Sequence, residues 1–287
     1  MRILTQYIAI LTILLLTAGC TRMGVNLGAP VLSKLIDKIG DSRNLRVVKE
    51  GMAGDILMAS ALTELSPNNK RLLKECAYMY FTLGLIVEDS DINYAKSMYQ
   101  TGNSYGMRIL MQNRKFRKGI ESGEPVHKLV KHLGKQYAPA LCWTSLNSGM
   151  WVLLSLDDPA AFMEMADIMA MAKRSIELDD TYFHSVVKAF LGCYYAMVPK
   201  ALDPECGPDN SAKMFAAAKK ADNNAMLLYD LFEARFLAAN INDEKRFDTL
   251  LEKVLTTDSG ILKGGYLFNE LAKEKARHYQ KNKKDYF

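Results

Sequence analysis

Five cysteines, four histidines and two adjacent aspartate pairs are the side chains here whose types could perform chemistry, and their spacing removes most of them from consideration. His127 and His132 stand five apart, about 140° around a helix, whereas two metal ligands on one helical face need a separation of four. His184 and His278 are isolated. Asp157-Asp158 and Asp179-Asp180 precede apolar periodic runs, so they read as helix caps in preference to an acid/base pair. The chain has no Cys-x-x-Cys, nucleophile elbow, Walker loop or Gly-x-Gly-x-x-Gly. No catalytic residue, metal ligand or cofactor site is therefore expected. Cys76, Cys142 and Cys193 fall on apolar helical faces and Cys206 in a loop, which favours free thiols, with a Cys193–Cys206 bridge as the alternative.

The fifth cysteine carries a positive signal. Arg2 is followed by an apolar run from Ile8 to Leu16, and Leu16-Thr17-Ala18-Gly19 then places small residues before Cys20. That run is well short of the roughly 20 residues a spanning helix needs, and the pattern reads as a removed lipoprotein signal over residues 1–19. Cys20 would become the acylated N-terminus, each buried CH₂ adding ~0.8 kcal/mol of membrane affinity. Thr17 occupies the place where leucine is usual, with Leu16 one position earlier, so secretion with cleavage near Ala18 is the competing reading. The expected location is the periplasm, anchored by lipid to a membrane, the outer membrane's inner leaflet in a diderm host, since Thr21 is not an aspartate.

A lipidated tether over residues 20–29 should lead into a single helical domain over 30–287. Ser66-Pro67, Asp91, Ala138-Pro139 and Asp158-Pro159 are start signals, and Asp180, Asp209 or Asn210, and Asp243 are candidate caps for helices ending near Met197, Ala221 and Thr256. Leu72, Cys76, Tyr80, Leu83 and Val87 recur at three or four, the spacing of one helical face. No run alternates with period two, no heptad run stands out, and the one long loop is Pro199 to Pro208. The expected fold is all-α: an α-solenoid or irregular helical bundle of about ten helices in paired, degenerate tetratricopeptide-like units. One pair shows the register: Leu191, Gly192 and Tyr195, then Ser211, Phe215 and Ala218.

Composition agrees. With 49% hydrophobic and 24% charged residues the chain is too apolar for disorder and too polar for a polytopic membrane protein. Of the net charge of +5, +4 comes from a basic end, residues 273–287, and +1 from Arg2, while residues 20–272 sum to zero. A nucleic-acid partner needs a basic folded face, so none is expected. The basic end itself reads as a solvated helix terminus.

Ala138-Pro139-Ala140-Leu141-Cys142-Trp143, the stretch Ala95 to Leu110, the Leu191 to Tyr195 block and the closing Asp285-Tyr286-Phe287 together resemble the T component (TatT) of tripartite ATP-independent periplasmic (TRAP) transporters. Cys142 and Thr101-Gly102-Asn103 depart from the family pattern, which often has an aromatic and an Arg-Gly-Arg at those places. The resemblance implies an accessory lipoprotein that binds a periplasmic solute receptor, forms a homo-trimer and holds an apolar tunnel for a hydrophobic small molecule. A scaffolding envelope lipoprotein without a ligand is the alternative. If there is a tunnel, Trp143, Met150 and Trp151 supply large walls while Gly149 and Gly192 leave space between helices. Met165, Met169 and Phe190 are further large side chains that either fill the core or line such a space.

Overall fold

The computed structural model describes residues 22–287 except residue 156, and these form fourteen helices, 78% of the structure, with no strand among them. The signal segment and Cys20 lie outside the described residues. Helix α1 covers residues 22–39. It is followed by α2 (Leu45–Leu65), α3 (Lys70–Val87), α4 (Ile92–Leu110), the short α5 (Arg114–Glu121) and α6 (Val126–Leu129), and α7 (Ala138–Leu153). The second half contains α8 (Pro159–Met163), α9 (Met165–Leu178), α10 (Tyr182–Met197), α11 (Pro208–Ala221), α12 (Leu227–Phe232), α13 (Glu244–Thr256) and α14 (Tyr266–Lys281). None of these is long and apolar enough to cross a membrane.

Local chemistry sets the boundaries. The Asp91 carboxylate accepts from the Tyr94 amide and the Asp243 carboxylate from the Arg246 amide, each satisfying an orphan donor at a helix start. Asp158 does the same for Ala160, and proline occupies the first turn of α7, α8 and α11. Three expectations need correction. Ser66-Pro67 ends α2 instead of opening α3, because Asn69 three residues later accepts from Arg71 and Leu72. Gly207 with Pro208, not Asp209 or Asn210, starts α11. Asp180 does not cap α10, where Phe183, His184 and Ser185 all adopt left-handed backbone and regular helix resumes only after them. Asparagines at 44, 69 and 113 cap three helices whose starts the sequence reading passed over or misplaced.

Residues 22–29, expected as a tether, continue as helix to residue 39. Ala29 and Ile36 are buried, Asn26 accepts from Ser66 and Asn69, and the Ser33 hydroxyl donates to Glu75 at 2.6 Å.

Consecutive helices pack as pairs, α3 with α4 and α10 with α11, and α7 lies against α3, α4, α9 and α10. Almost every residue of α7 is buried, so its apolar positions surround the helix instead of forming one stripe. The array also closes on itself. The Leu267 amide donates to the Gly40 carbonyl at 2.9 Å, and Lys275 of α14, 3% exposed, reaches Glu88 at 3.0 Å and Asp89 at 2.5 Å. An open solenoid has contacts only between neighbouring repeats, so this chain is the closed bundle of the two architectures expected. Closure also corrects the reading of the basic end: Tyr279 is buried, Lys283 pairs with Glu244 and Asp248, and Tyr286 and Phe287 rest on Phe247 at ring distances of 5.4 and 5.2 Å.

Candidate functional site

Among the described residues the cysteines are spent on structure. Cys76, Cys142, Cys193 and Cys206 are free and buried. Burial pushes the Cys76 thiol up to about 12, and burial reinforced by Asp203 and Glu205 pushes Cys206 up to about 11, so both stay protonated at neutral pH. His127 pairs with Asp167 at 2.6 Å, which ties α6 to α9, and among the described residues no three His, Cys, Asp or Glu side chains are grouped to hold a metal ion.

What the helices build instead is an apolar groove. Gly149 of α7 has no side chain because the Phe190 ring of α10 occupies the place where its Cβ would stand. Around this contact Val152, Met165, Ile168, Tyr194 and Val198 line a narrow slot with only about 10 Å³ free, no more than one water molecule needs. The slot widens outward into a cleft of about 340 Å³ between α8, α9, α10 and the loop after α10, bordered by Phe162, Met165, Met169, Tyr194, Val198 and Leu202. That volume lies in the range of small-molecule sites. Of the bordering side chains Phe162 is 37% exposed and Leu202 66%, large apolar groups left facing solvent, and Met163, next to Phe162 in the chain, is 84% exposed. Its polar edge is Asp203, whose carboxylate accepts from the Tyr194 hydroxyl at 3.2 Å. Burial, with the Asp203 charge second, raises the Tyr194 phenol above its ordinary range, so it remains a donor.

The five residues expected to line a tunnel fall in different places. Gly149 lines the slot. Trp151 lines a separate polar cleft of about 170 Å³ with Gln100, Asn103, Ser148 and Glu164. Trp143 sits inside an aromatic box: Phe183 at 4.8 Å, Tyr78 at 5.0 Å and Phe81 at 5.5 Å, its indole N–H donating to the Tyr182 hydroxyl at 3.1 Å. Met150, seven residues further along α7, is buried as well. Gly192 faces Phe215, which an added Cβ would meet at 2.9 Å, and its carbonyl accepts from Ser211 at 2.7 Å. This is the close packing that the tetratricopeptide register requires. Met165, Met169 and Phe190 all reach the groove, whereas Phe162 and Leu202 were not singled out from sequence. The signal for Phe162 was available: it follows Asp158-Pro159 by three residues, in a helix too short to bury it.

At the Arg-Gly-Arg position of the resembled family, Gly102 makes room for Asn147, which is wholly buried and donates to the Ala77 and Trp143 carbonyls at 3.0 and 2.8 Å. The neighbouring Asn103 borders the Trp151 cleft.

A family model described as "TRAP transporter T-component" matches residues 41–287, from the turn after α1 to the last residue. No curated protein matches the chain in sequence.

Proposed function

From the premise that the chain belongs to the TRAP transporter T-component family, and so is an accessory part of such a transporter, we propose that it binds the transporter's periplasmic solute receptor and receives a hydrophobic small molecule in the groove between α8, α9 and α10. The observation that carries this reading is the 340 Å³ cleft with Phe162 and Leu202 exposed at its border and the exposed Met163 next to Phe162 in the chain. Exposed aromatic and methionine side chains cost solubility, and a partner or an apolar ligand is the usual reason for retaining them. The protein acts in the periplasm, held to a membrane by acylated Cys20, and associates as a homo-trimer. The residues around Gly149 form the deep end of the ligand path, which opens only if the Phe190 ring moves.

One observation favours the scaffold reading instead. The slot is closed, and both Gly149 and Gly192 are filled by phenylalanine rings. Affinity purification from detergent-treated native membranes decides between them, with bound proteins and extracted lipids identified together by mass spectrometry. A receptor and an apolar molecule in wild type, both reduced in Met163→Glu with Leu202→Glu, are expected. Unchanged receptor with no apolar molecule in either sample selects the scaffold.

A further inference from the structure

The clefts of this protein differ in whether their polar groups already have partners. The largest, about 480 Å³ between α2, the end of α3 and α14, is lined by lysines and carboxylates that pair with one another, Lys49 with Glu274 and Lys275 with Asp89. Such pairs leave little for a ligand to replace. The cleft of about 170 Å³ beside Trp151 is the opposite case. Among the described residues the side chains of Gln100, Asn103, Ser148 and Glu164 make no hydrogen bond or ion pair within the protein, although Ser148 is only 4% exposed and the Asn103 Oδ1 atom is buried. Buried polar groups without partners are uncommon in folded proteins.

Close packing of two helices assembles these groups. Gly102 and Gly106 stand one turn apart on α4, and a Cβ at either would strike Asn147 or Thr144 of α7, so the backbones approach until those side chains fill the notches. Asn103 and Ser148 are the next residues after Gly102 and Asn147, and so border this seam. Gln100 and Asn103 are three apart on α4, as are Ser148 and Trp151 on α7, so each pair shares a helical face and supplies one wall. Glu164, the residue between α8 and α9, completes the lining.

The chemistry of the lining selects a cation that donates hydrogen bonds. Gln100, Asn103, Ser148 and Glu164 can all accept, and no Lys, Arg or His stands among the lining residues. Glu164 lacks a countercharge: burial, with the Asp167 charge second, raises its carboxyl, and the histidine nearest Asp167 is already paired with it at 2.6 Å. An incoming anion would add to that repulsion and a cation would relieve it. The Asn103 amide is held by no hydrogen bond, so a half-turn of its terminal torsion presents Oδ1 to the cleft without breaking one. Trp151 brings the ring type that attracts an ammonium most strongly. At ~30 Å³ per water the space holds roughly five or six waters, room for an ammonium with a chain of about four carbons. We propose that this cleft binds a primary alkylammonium group, its three N–H donors shared among Glu164, Ser148 and Asn103 and its alkyl stem lying on the Trp151 indole.

The chain has two tryptophans, so the full mature protein carrying ¹⁵N-labelled tryptophan gives two indole N–H signals, and Trp151→Phe assigns them. Titration with n-butylammonium chloride to tens of millimolar should shift the Trp151 signal saturably and leave that of Trp143, enclosed in its aromatic box and bonded to Tyr182, in place. n-Butanol and sodium chloride should leave both signals unmoved. Glu164→Gln, an exposed and nearly isosteric change, should weaken binding about tenfold. Asn103→Arg places a guanidinium beside Glu164 and should abolish it, with circular dichroism unchanged in both variants. No saturable shift of the Trp151 signal overturns the proposal, as does an equal affinity in Glu164→Gln. An equal response to butanol makes the cleft an apolar one, and an equal response to sodium chloride makes its occupant an inorganic cation. Either result overturns the ammonium site. Tetramethylammonium binding as tightly as butylammonium overturns the hydrogen-bonded head, since a quaternary nitrogen has no donor.

Discussion

Two seams hold this bundle together by opposite means. Along α7, α10 and α11 the helices approach through absent side chains: Phe190 enters where Gly149 has none, and Phe215 where Gly192 has none. Between α3 and α14 they are joined by charge: the buried Glu88 carboxylate accepts from Lys275 at 3.0 Å, Arg235 at 2.9 Å and the Tyr99 hydroxyl at 2.9 Å. Shape complementarity in the first seam tolerates no added volume, while the second tolerates no missing partner. Burial alone would raise the Glu88 carboxyl, but Lys275 and Arg235 outweigh it and hold it below the usual carboxylate range.

The largest effect should come from unbalancing the ionic seam. Glu88→Ala removes the buried carboxylate that Lys275 and Arg235 share, leaving Asp89 to Lys275, and should cost roughly 3–5 kcal/mol, read by urea denaturation. Overpacking the apolar seam comes next. Gly149→Leu should cost about 1–3 kcal/mol or more, because Phe190 must leave its position. If Gly149→Leu instead keeps wild-type stability, the slot is wide enough to admit a ligand, and the closed form described above is not the resting one. Acid separates the seams without mutation. A carboxylate whose folded pKa is depressed contributes stability that is complete above its unfolded pKa, near 4.3, and is lost as pH falls through the folded value. Tm should therefore fall below about pH 4, and Glu88→Gln should flatten that slope while Gly149→Leu leaves it unchanged. The smallest change tests the hydrogen bond inside the apolar seam: Ser211→Ala removes the donor to the Gly192 carbonyl and should cost about 1 kcal/mol by thermal unfolding.

The apolar seam was legible in the sequence and the ionic one was not. Leu191, Gly192, Tyr195, Ser211, Phe215 and Ala218 lie within one pair of helices, so spacing alone encodes their contact. Glu88 and Lys275 are 187 residues apart, and nothing local marks either as buried. Helix starts set by aspartate or by proline in the first turn were readable at 91, 138, 158 and 243, but Ser66-Pro67 looked like a start although Asn69 is the residue that caps. The three left-handed residues 183–185 gave no warning, since none is glycine or asparagine, the types that tolerate that backbone best. In the groove, Gly149, Met165, Met169 and Phe190 came from helices whose periodicity is plain. Leu202 comes from the loop after α10, where periodicity carries no information.

The contact between residue 40 and the start of α14 has a mechanical consequence. The Gly40 carbonyl holds the Leu267 amide, Asp41 holds the Gly264 amide at 2.8 Å, and Gly40 packs against the Gly264 carbonyl so closely that a Cβ would meet it at 2.7 Å. A load applied at residue 22 therefore does not peel helices off one by one from the N-terminal end. It passes through this staple into α14 and, by way of Lys275, back to Glu88 at the end of α3, so the first and last thirds of the chain bear tension as one body and yield together.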